Sequence, residues 1–442
     1  MRPNSKLLKS ALAGALGGLL FGIDMAVISG VLDTVTSLFH LNGLDKGLTV
    51  AVSPVGTVLG CFAAGVLGQR LGSRTALRWA SALYILAAIG STLALNWPML
   101  LTTRFIGGLA VGAASVLGPV YIAEIAPAAW RGRLVGLFQL NVVTGIVFGY
   151  IANFLVRSAH LGALEWRAML GVALIPAAIF FAGLFGIPPS PRWLIARGET
   201  DEALGIMREM GAADPAAELA LIQKAARGEN ASAHEPVFRW KYRYPLFLAI
   251  SIGAFNQLAG VNAILFYQGT IFKAAGFSQI SGDLQAIAIG LANLVFTLVG
   301  MSLIDRFGRK SLLVVGAVAT TICLAGVGWI FASGSHQSLL IVLLASFIGF
   351  FALSQGAVIW VYIGEVFPTS VRSKGQGVGS ASHWVVNTIL ALAFPVAAQQ
   401  FGQAPPFFFF AGATVVQLIV VALFYPETKG QTLEELQAKL VR

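Results

Sequence analysis

The string Y-I-A-E-I-A-P at Tyr121–Pro127 returns 241 residues later as Y-I-G-E-V-F-P at Tyr362–Pro368. In both copies an arginine follows the glutamate by seven residues, Arg131 and Arg372. A second pair, G-Q-R-L-G-S-R at 68–74 and D-R-F-G-R-K at 305–310, repeats with an offset of 236 residues from Arg70 to Arg306. Two similar offsets in one chain mean that a single unit has been used twice in the same sense, the pattern of secondary transporters built from two parallel halves.

Working outward from these repeats, twelve stretches meet the requirement of roughly 20 apolar residues for a membrane-spanning helix. They are 7–31, 47–69, 76–95, 98–122, 134–155, 168–187, 245–272, 284–304, 311–332, 338–363, 375–398 and 406–425. The predicted fold is an all-α membrane protein of two six-helix halves, 1–187 and 245–425, joined by a helical linker at 188–244 and followed by a tail at 426–442. Composition agrees. Of 442 residues, 57% are hydrophobic and 11% charged, whereas a soluble domain carries about a quarter charged residues. The 50 glycines and 17 prolines show no short period, which excludes collagen and low-complexity chains. Cys61 and Cys323 both lie in apolar runs and read as small core residues. The first apolar run is longer than a signal peptide's and carries an acid, so it reads as a membrane helix and not a leader.

The net charge of +10 sits in short basic clusters between apolar runs, which argues against a nucleic-acid partner. With the N-terminus in the cytoplasm, 24 of the 29 Lys and Arg residues fall on the inner side. Four fall outside (Lys46, Arg157, Arg167, Lys273), and Arg104 lies within a helix. The positive-inside rule then places both termini in the cytoplasm of a multi-pass protein of the inner (plasma) membrane. In the linker, Leu204, Met207 and Met210 recur at helical spacing among charges, predicting short amphipathic helices under the membrane, serving as a linker or in regulation. Phe407–Phe410 are expected to face lipid.

Two charges are predicted at depth, Asp24 in span one and Arg104 in span four. Each alone would cost between about 2.5 and more than 10 kcal/mol at the bilayer centre. Asp24 lies fifteen residues past Lys9, about 22 Å outward, and Arg104 seven residues past Trp97, about 10 Å inward. Both therefore fall in the outer third of a core about 30 Å thick. A static ion pair and a titrating carboxylate that shifts a conformational equilibrium both fit this placement.

The chain resembles the sugar porter family of the major facilitator superfamily over nearly its whole length. The motifs that carry the resemblance are G-G-L-L-F-G-I-D at 17–24, R-F-I-G-G-L-A-V-G at 104–112, P-V-Y-I-A-E-I-A-P at 119–127, P-P-S-P-R-W-L at 188–194, D-R-F-G-R-K at 305–310 and P-E-T-K-G at 426–430. It implies sugar held at the midplane between the halves and moved by rocking alternating access. By resemblance, the sugar ligands are Gln139, Asn256, Gln257, Asn262, Asn293 and Trp360, joined by Trp384, Asn387 and the unusual His383, which is equally consistent with bonding to neighbouring helices. Amides donate and accept hydrogen bonds, and an indole packs on a pyranose face, which suits a neutral polyol. Gln257 and Asn262 would lie about 140° apart on an unbroken helix, so Gly260 is expected to unwind the chain between them.

The resemblance also makes Asp24 the proton-coupling acid and Arg104 its partner. No second carboxylate occurs in span six. It assigns an inner gate to Arg70, Arg74, Glu124, Arg131, Arg192, Asp305, Arg306, Arg309, Glu365 and Arg372. Gln69, Ser73 and Pro189 depart from the family pattern, which predicts a looser gate in the first half.

The function implied is proton-coupled import of a monosaccharide, a glucose-like hexose. A downhill uniporter, a proton-coupled drug exporter and a non-transporting sugar receptor stay open. No P-loop, H-E-x-x-H or G-x-S-x-G occurs, so no enzyme is predicted. No cofactor, metal or obligate protein partner is predicted; the partners are sugar, proton and bilayer.

Overall fold

A computed structural model of the chain describes residues 4–212, 214–232, 236–368, 371–431, 436 and 439–440. The side chains of 128–129, 224–232, 305 and 373 lie outside that description. The described residues form helices and no strand. The first five spans are single helices: α1 (Ser5–Leu38), α2 (Gly43–Leu71), α3 (Ser73–Thr92), α4 (Trp97–Ile125) and α5 (Ala128–Ser158). The sixth is broken into α6 (Glu165–Gly171) and α7 (Leu174–Gly183). The linker holds α8 (Pro191–Ala196), α9 (Thr200–Met210) and α10 (Pro215–Ser232). The seventh span is α11 (Arg243–Leu258), α12 (Val261–Phe266) and α13 (Gln268–Ala274); α14 (Gln279–Phe307) and α15 (Arg309–Ser333) follow. The tenth joins α16 (Leu340–Phe351) to α17 (Ala357–Val366) through a π-helical turn, Ala352–Gly356. Finally come α18 (Arg372–Phe401) and α19 (Ala404–Phe424).

Eleven of these runs are long and apolar enough to cross a membrane. The more polar α3, 20 residues long with Arg74 and Arg78 in its first two turns, completes the twelve. Contacts divide the chain into two compact units, one of Met1–Val31 with Val52–Ala233 and one of Leu32–Ala51 with His234–Arg442. The helix α1 continues seven residues past the predicted end at 31, because apolarity marks bilayer thickness and not helix length. Its polar extension is held by bonds such as Thr36 Oγ1 to the Leu32 carbonyl, 2.7 Å.

In the first unit the glycines serve close helix packing. A Cβ added to Gly108 or Gly112 of α4 would come within 2.1 Å of the Ser53 or Thr57 carbonyl of α2. Gly56 and Gly60 of α2 face α4 in the same way, so two G-x-x-x-G faces interlock. This packing brings Ser53 and Arg104 to the same depth.

The repeat is visible in backbone geometry. Gly72 (φ 81°) joins α2 to α3 and Gly308 (φ 87°) joins α14 to α15, each in a conformation open to little but glycine. The predicted break at Gly260 is present: its φ is 83° and it separates α11 from α12. In the linker, the buried stripe of α9 is Ala203, Ile206, Met207 and Met210; Leu204, expected on that stripe, is only half-buried. The phenylalanine run is corrected. Phe407 and Phe410 are buried, Phe410 stacking on Phe394 and covering Gly260, while Phe408 and Phe409 are exposed. Four consecutive helical residues span all faces, so they cannot share one environment.

Gly260→Ala should destabilise the second unit. The new methyl would stand 2.4 Å from Phe410, adding about 1–3 kcal/mol of overpacking to about 1–2 kcal/mol of left-handed strain. Thermal unfolding of the detergent-solubilised protein should show a lowered midpoint; an unchanged midpoint would mean the break does not depend on glycine.

Candidate functional site

The two charges placed at depth meet in the first unit. Arg104 of α4 faces Asp24 of α1 with both terminal nitrogens, Nη1 to Oδ1 and Nη2 to Oδ2, each at 3.4 Å. Ser53 of α2 donates to Oδ2 at 3.0 Å. The arginine side chain is 3% exposed and the aspartate 24%. Hydrogen bonds at 3.4 Å are long for a charged pair, so attraction and weak directional bonding hold these groups together. Ser53 was not identified from sequence; a lone serine in an apolar helix gives no signal.

In the second unit a polar cluster forms where α11 meets α18. Gln257 Nε2 donates to Asn256 Oδ1 at 3.0 Å and lies 3.3 Å from His383 Nε2. The Trp360 and Trp384 rings lie 5.2 and 5.1 Å from the His383 ring. Asn387, one turn beyond His383 on α18, is 1% exposed, and neither amide atom has a protein partner. An unpaired buried amide costs about 1–3 kcal/mol, which a ligand hydroxyl would relieve. Gln268 is also fully buried with both amide atoms unpartnered, and sequence reasoning missed it. Asn293 accepts from Thr297 at 3.4 Å. Asn262 on α12 and Gln139 on α5 are half-buried.

The residues predicted for the inner gate fall into two equivalent arrangements of unequal strength. In the second unit Arg309 grips Glu365 with two bonds, 2.9 and 3.2 Å, and Thr428 adds a third to the same carboxylate at 2.6 Å. In the first unit the residue 236 positions before Arg309 is Ser73, which donates to Glu124 at 2.8 Å. The first unit thus has a hydroxyl where the second has a guanidinium. The repeated arginines bond backbone: Arg131 donates to the Ala126 carbonyl and Arg372 to the equivalent Phe367 carbonyl, both at 3.4 Å. Arg131 also lies 3.9 Å from Glu218. Arg74 donates to the Ile187 carbonyl at 3.0 Å, and Arg192 acts on Glu124 through its charge. Arg70 and Arg306 are exposed, and the side chain of Asp305 lies outside the described residues.

The P-E-T-K-G motif gains a physical role. Glu427 accepts from the backbone N–H groups of Arg309 and Lys310, 2.9 and 3.0 Å, at the start of α15. It therefore fastens the tail beside the Arg309–Glu365 pair. A further cluster was not foreseen: Lys46 donates to Asp33 at 2.8 Å and to Thr270 at 3.0 Å, with Lys273 at 3.8 Å from Asp33. Asp33 escaped notice because it sits on the part of α1 beyond its apolar run.

A family model described as sugar (and other) transporter matches residues 10–440. The chain is 35% identical over 435 residues to the arabinose-proton symporter of Bacillus subtilis (strain 168), covering 96% of this chain and 93% of the relative. It is 32% identical over 448 residues to a glucose transport protein of Synechocystis sp., covering 96% and 95%. Among solved structures, the partially occluded inward-open xylose transporter XylE from E. coli aligns with a TM-score of 0.87 and 28% identity, covering 97% of this chain and all of that one.

Burial alone would raise the pKa of Glu427, but the N–H groups of Lys429, Arg309, Lys310 and Thr428 outweigh it and hold the carboxyl below its usual value. The stability this contributes is present above the unfolded pKa of about 4.3 and is lost as pH falls through the folded value. Glu427→Gln should therefore lower the unfolding midpoint at neutral pH and flatten its fall on acidification. Unfolding scans across acidic and neutral buffers check this; an identical pH profile in the variant would contradict it.

Proposed function

The chain belongs to the sugar (and other) transporter family, membrane carriers and not enzymes, and on that footing we propose that it imports a monosaccharide together with a proton. Both termini are cytoplasmic in this reading, as the excess of basic residues in the loops of that side supports. The sugar is held by Gln257, Asn256, His383, Trp360, Trp384 and Asn387, with Asn262, Asn293 and Gln139 as further ligands. The unpartnered amide of Asn387, one turn from His383 on α18, favours a hydroxyl-rich ligand over the apolar cargo of a drug exporter.

The observation that carries the coupling is the contact of Asp24 with Arg104 and Ser53. A carboxylate neutralises the buried guanidinium; a carboxylic acid does not. Protonation therefore changes the energy of packing α1 against α4, and a state that separates them gains population when the acid is neutral. Sugar binding and proton binding then act on one conformational equilibrium. One proton entering down 100 mV releases about 2.3 kcal/mol, enough for about a fifty-fold sugar gradient.

Purified protein in liposomes should accumulate labelled glucose above the outside concentration under an inward proton gradient, and a protonophore should abolish this. Competition by xylose, arabinose and galactose tests the hexose reading. Equilibration without accumulation would contradict coupling and favour a uniporter. Gln257→Ala, which removes a hydrogen bond of about 1.5 kcal/mol, should raise the half-saturating sugar concentration about tenfold; unchanged affinity would remove Gln257 from the site.

A further inference from the structure

Behind the Asp24–Arg104 contact lies a small cavity of about 30 Å³, lined entirely by residues of the first unit. Asp24 and Arg104 form one wall, and Tyr84 and Ser91 of α3 add hydroxyls. The remaining surface is small or aliphatic, with Ala87, Gly107, Leu170 and Ala173 from α3, α4 and the sixth span. Asp24, Arg104 and Tyr84 are the titratable groups on this lining.

The cavity lies toward one end of the helices that form it. Ser91 is next to last in α3, and Leu170 is five residues past the start of α6. In the orientation proposed above, these are the outer ends. None of the lining residues is among the proposed sugar ligands. Arg167 of α6 donates to the carbonyl of Thr92, the last residue of α3, at 3.0 Å, bracing the two helices that flank the space.

We infer that this cavity is a water-filled passage through which protons from the outer solution reach Asp24 apart from the sugar. The inference rests on Asp24 being the coupling acid. Each water takes up about 10–15 Å³ of such a cavity and needs two to four polar partners; the space holds about two, and the Tyr84 and Ser91 hydroxyls and the Asp24 carboxylate supply partners. The innermost water gives a proton to an Asp24 oxygen, forming the acid O–H, and takes one from its outer neighbour. No other reactant is required. With no second carboxylate in the sixth span, water does the relaying.

The position to close is Gly107. A Cβ there meets only the Ala87 methyl at 3.5 Å, an ordinary contact, so alanine fits and leucine projects into the space. In liposomes loaded with a pH dye, Gly107→Leu should slow sugar-linked proton uptake about a hundredfold, the low end of what positioned proton transfer contributes. Sugar counterflow at equal pH should persist, and Gly107→Ala should behave as the unmodified protein. Proton uptake undiminished in Gly107→Leu would overturn the passage. If Gly107→Leu also loses counterflow, Ala87→Val narrows the space from the opposite wall and must give the same split between proton uptake and counterflow, or the passage is overturned. A wild-type protein that moves sugar without protons would instead overturn the coupling reading on which the passage depends.

Discussion

A guanidinium and a carboxylate inside an apolar bilayer are tolerated only as a pair, and the first unit is arranged around that constraint. A lone ion at depth costs several kcal/mol, so α1, α2 and α4 must hold Asp24, Ser53 and Arg104 within reach of one another. The interlocked glycines of α2 and α4 do this by letting backbones approach until side-chain register is set by carbonyl contacts. Glycine here is a packing residue. The same pair makes the packing conditional, since one proton removes the charge that justifies the contact.

The second unit carries its polar cluster where the broken helix α11–α12 meets α18, with the Trp360 and Trp384 indoles beside His383. Gly260 supplies the break, and Phe410 closes over it. Duplication has not produced equal halves. Where the second unit grips Glu365 with the Arg309 guanidinium, and the tail adds Thr428 to it and Glu427 beside it, the first unit bonds Glu124 through the hydroxyls of Ser73 and Ser190, with Arg192 acting through its charge. Bonds to a charged carboxylate contribute about 1.5–3 kcal/mol each, so Glu365, with two from a guanidinium and one from Thr428, is held more firmly than Glu124, whose bonds come from hydroxyls.

Much of this was legible in the sequence for physical reasons. Bilayer thickness imposes a run length that the twelve spans display, and the rarity of charge at depth singles out Asp24 and Arg104. Gly260 was legible because Gln257 and Asn262, both expected on the sugar by resemblance, would lie about 140° apart on an unbroken helix. Ser53 was hidden because a hydroxyl in an apolar helix is common and its partner is 29 residues away. Asp33 was hidden because α1 outlasts its apolar run, and the burial of Phe407 and Phe410 because hydrophobicity alone does not separate a protein-facing ring from a lipid-facing one. The family resemblance supplied the sugar ligands, and local geometry alone would have offered Gln268 and Asn387 first.

The account turns on Asp24 being the group whose protonation links sugar to proton. The most direct measurement compares wild-type and Asp24→Asn protein in liposomes for gradient-driven accumulation and for sugar counterflow without a gradient. The account predicts that the variant loses accumulation and keeps counterflow, because a permanently neutral side chain resembles the protonated state. Accumulation undiminished in Asp24→Asn would contradict it and leave Asp24 and Arg104 as a structural pair.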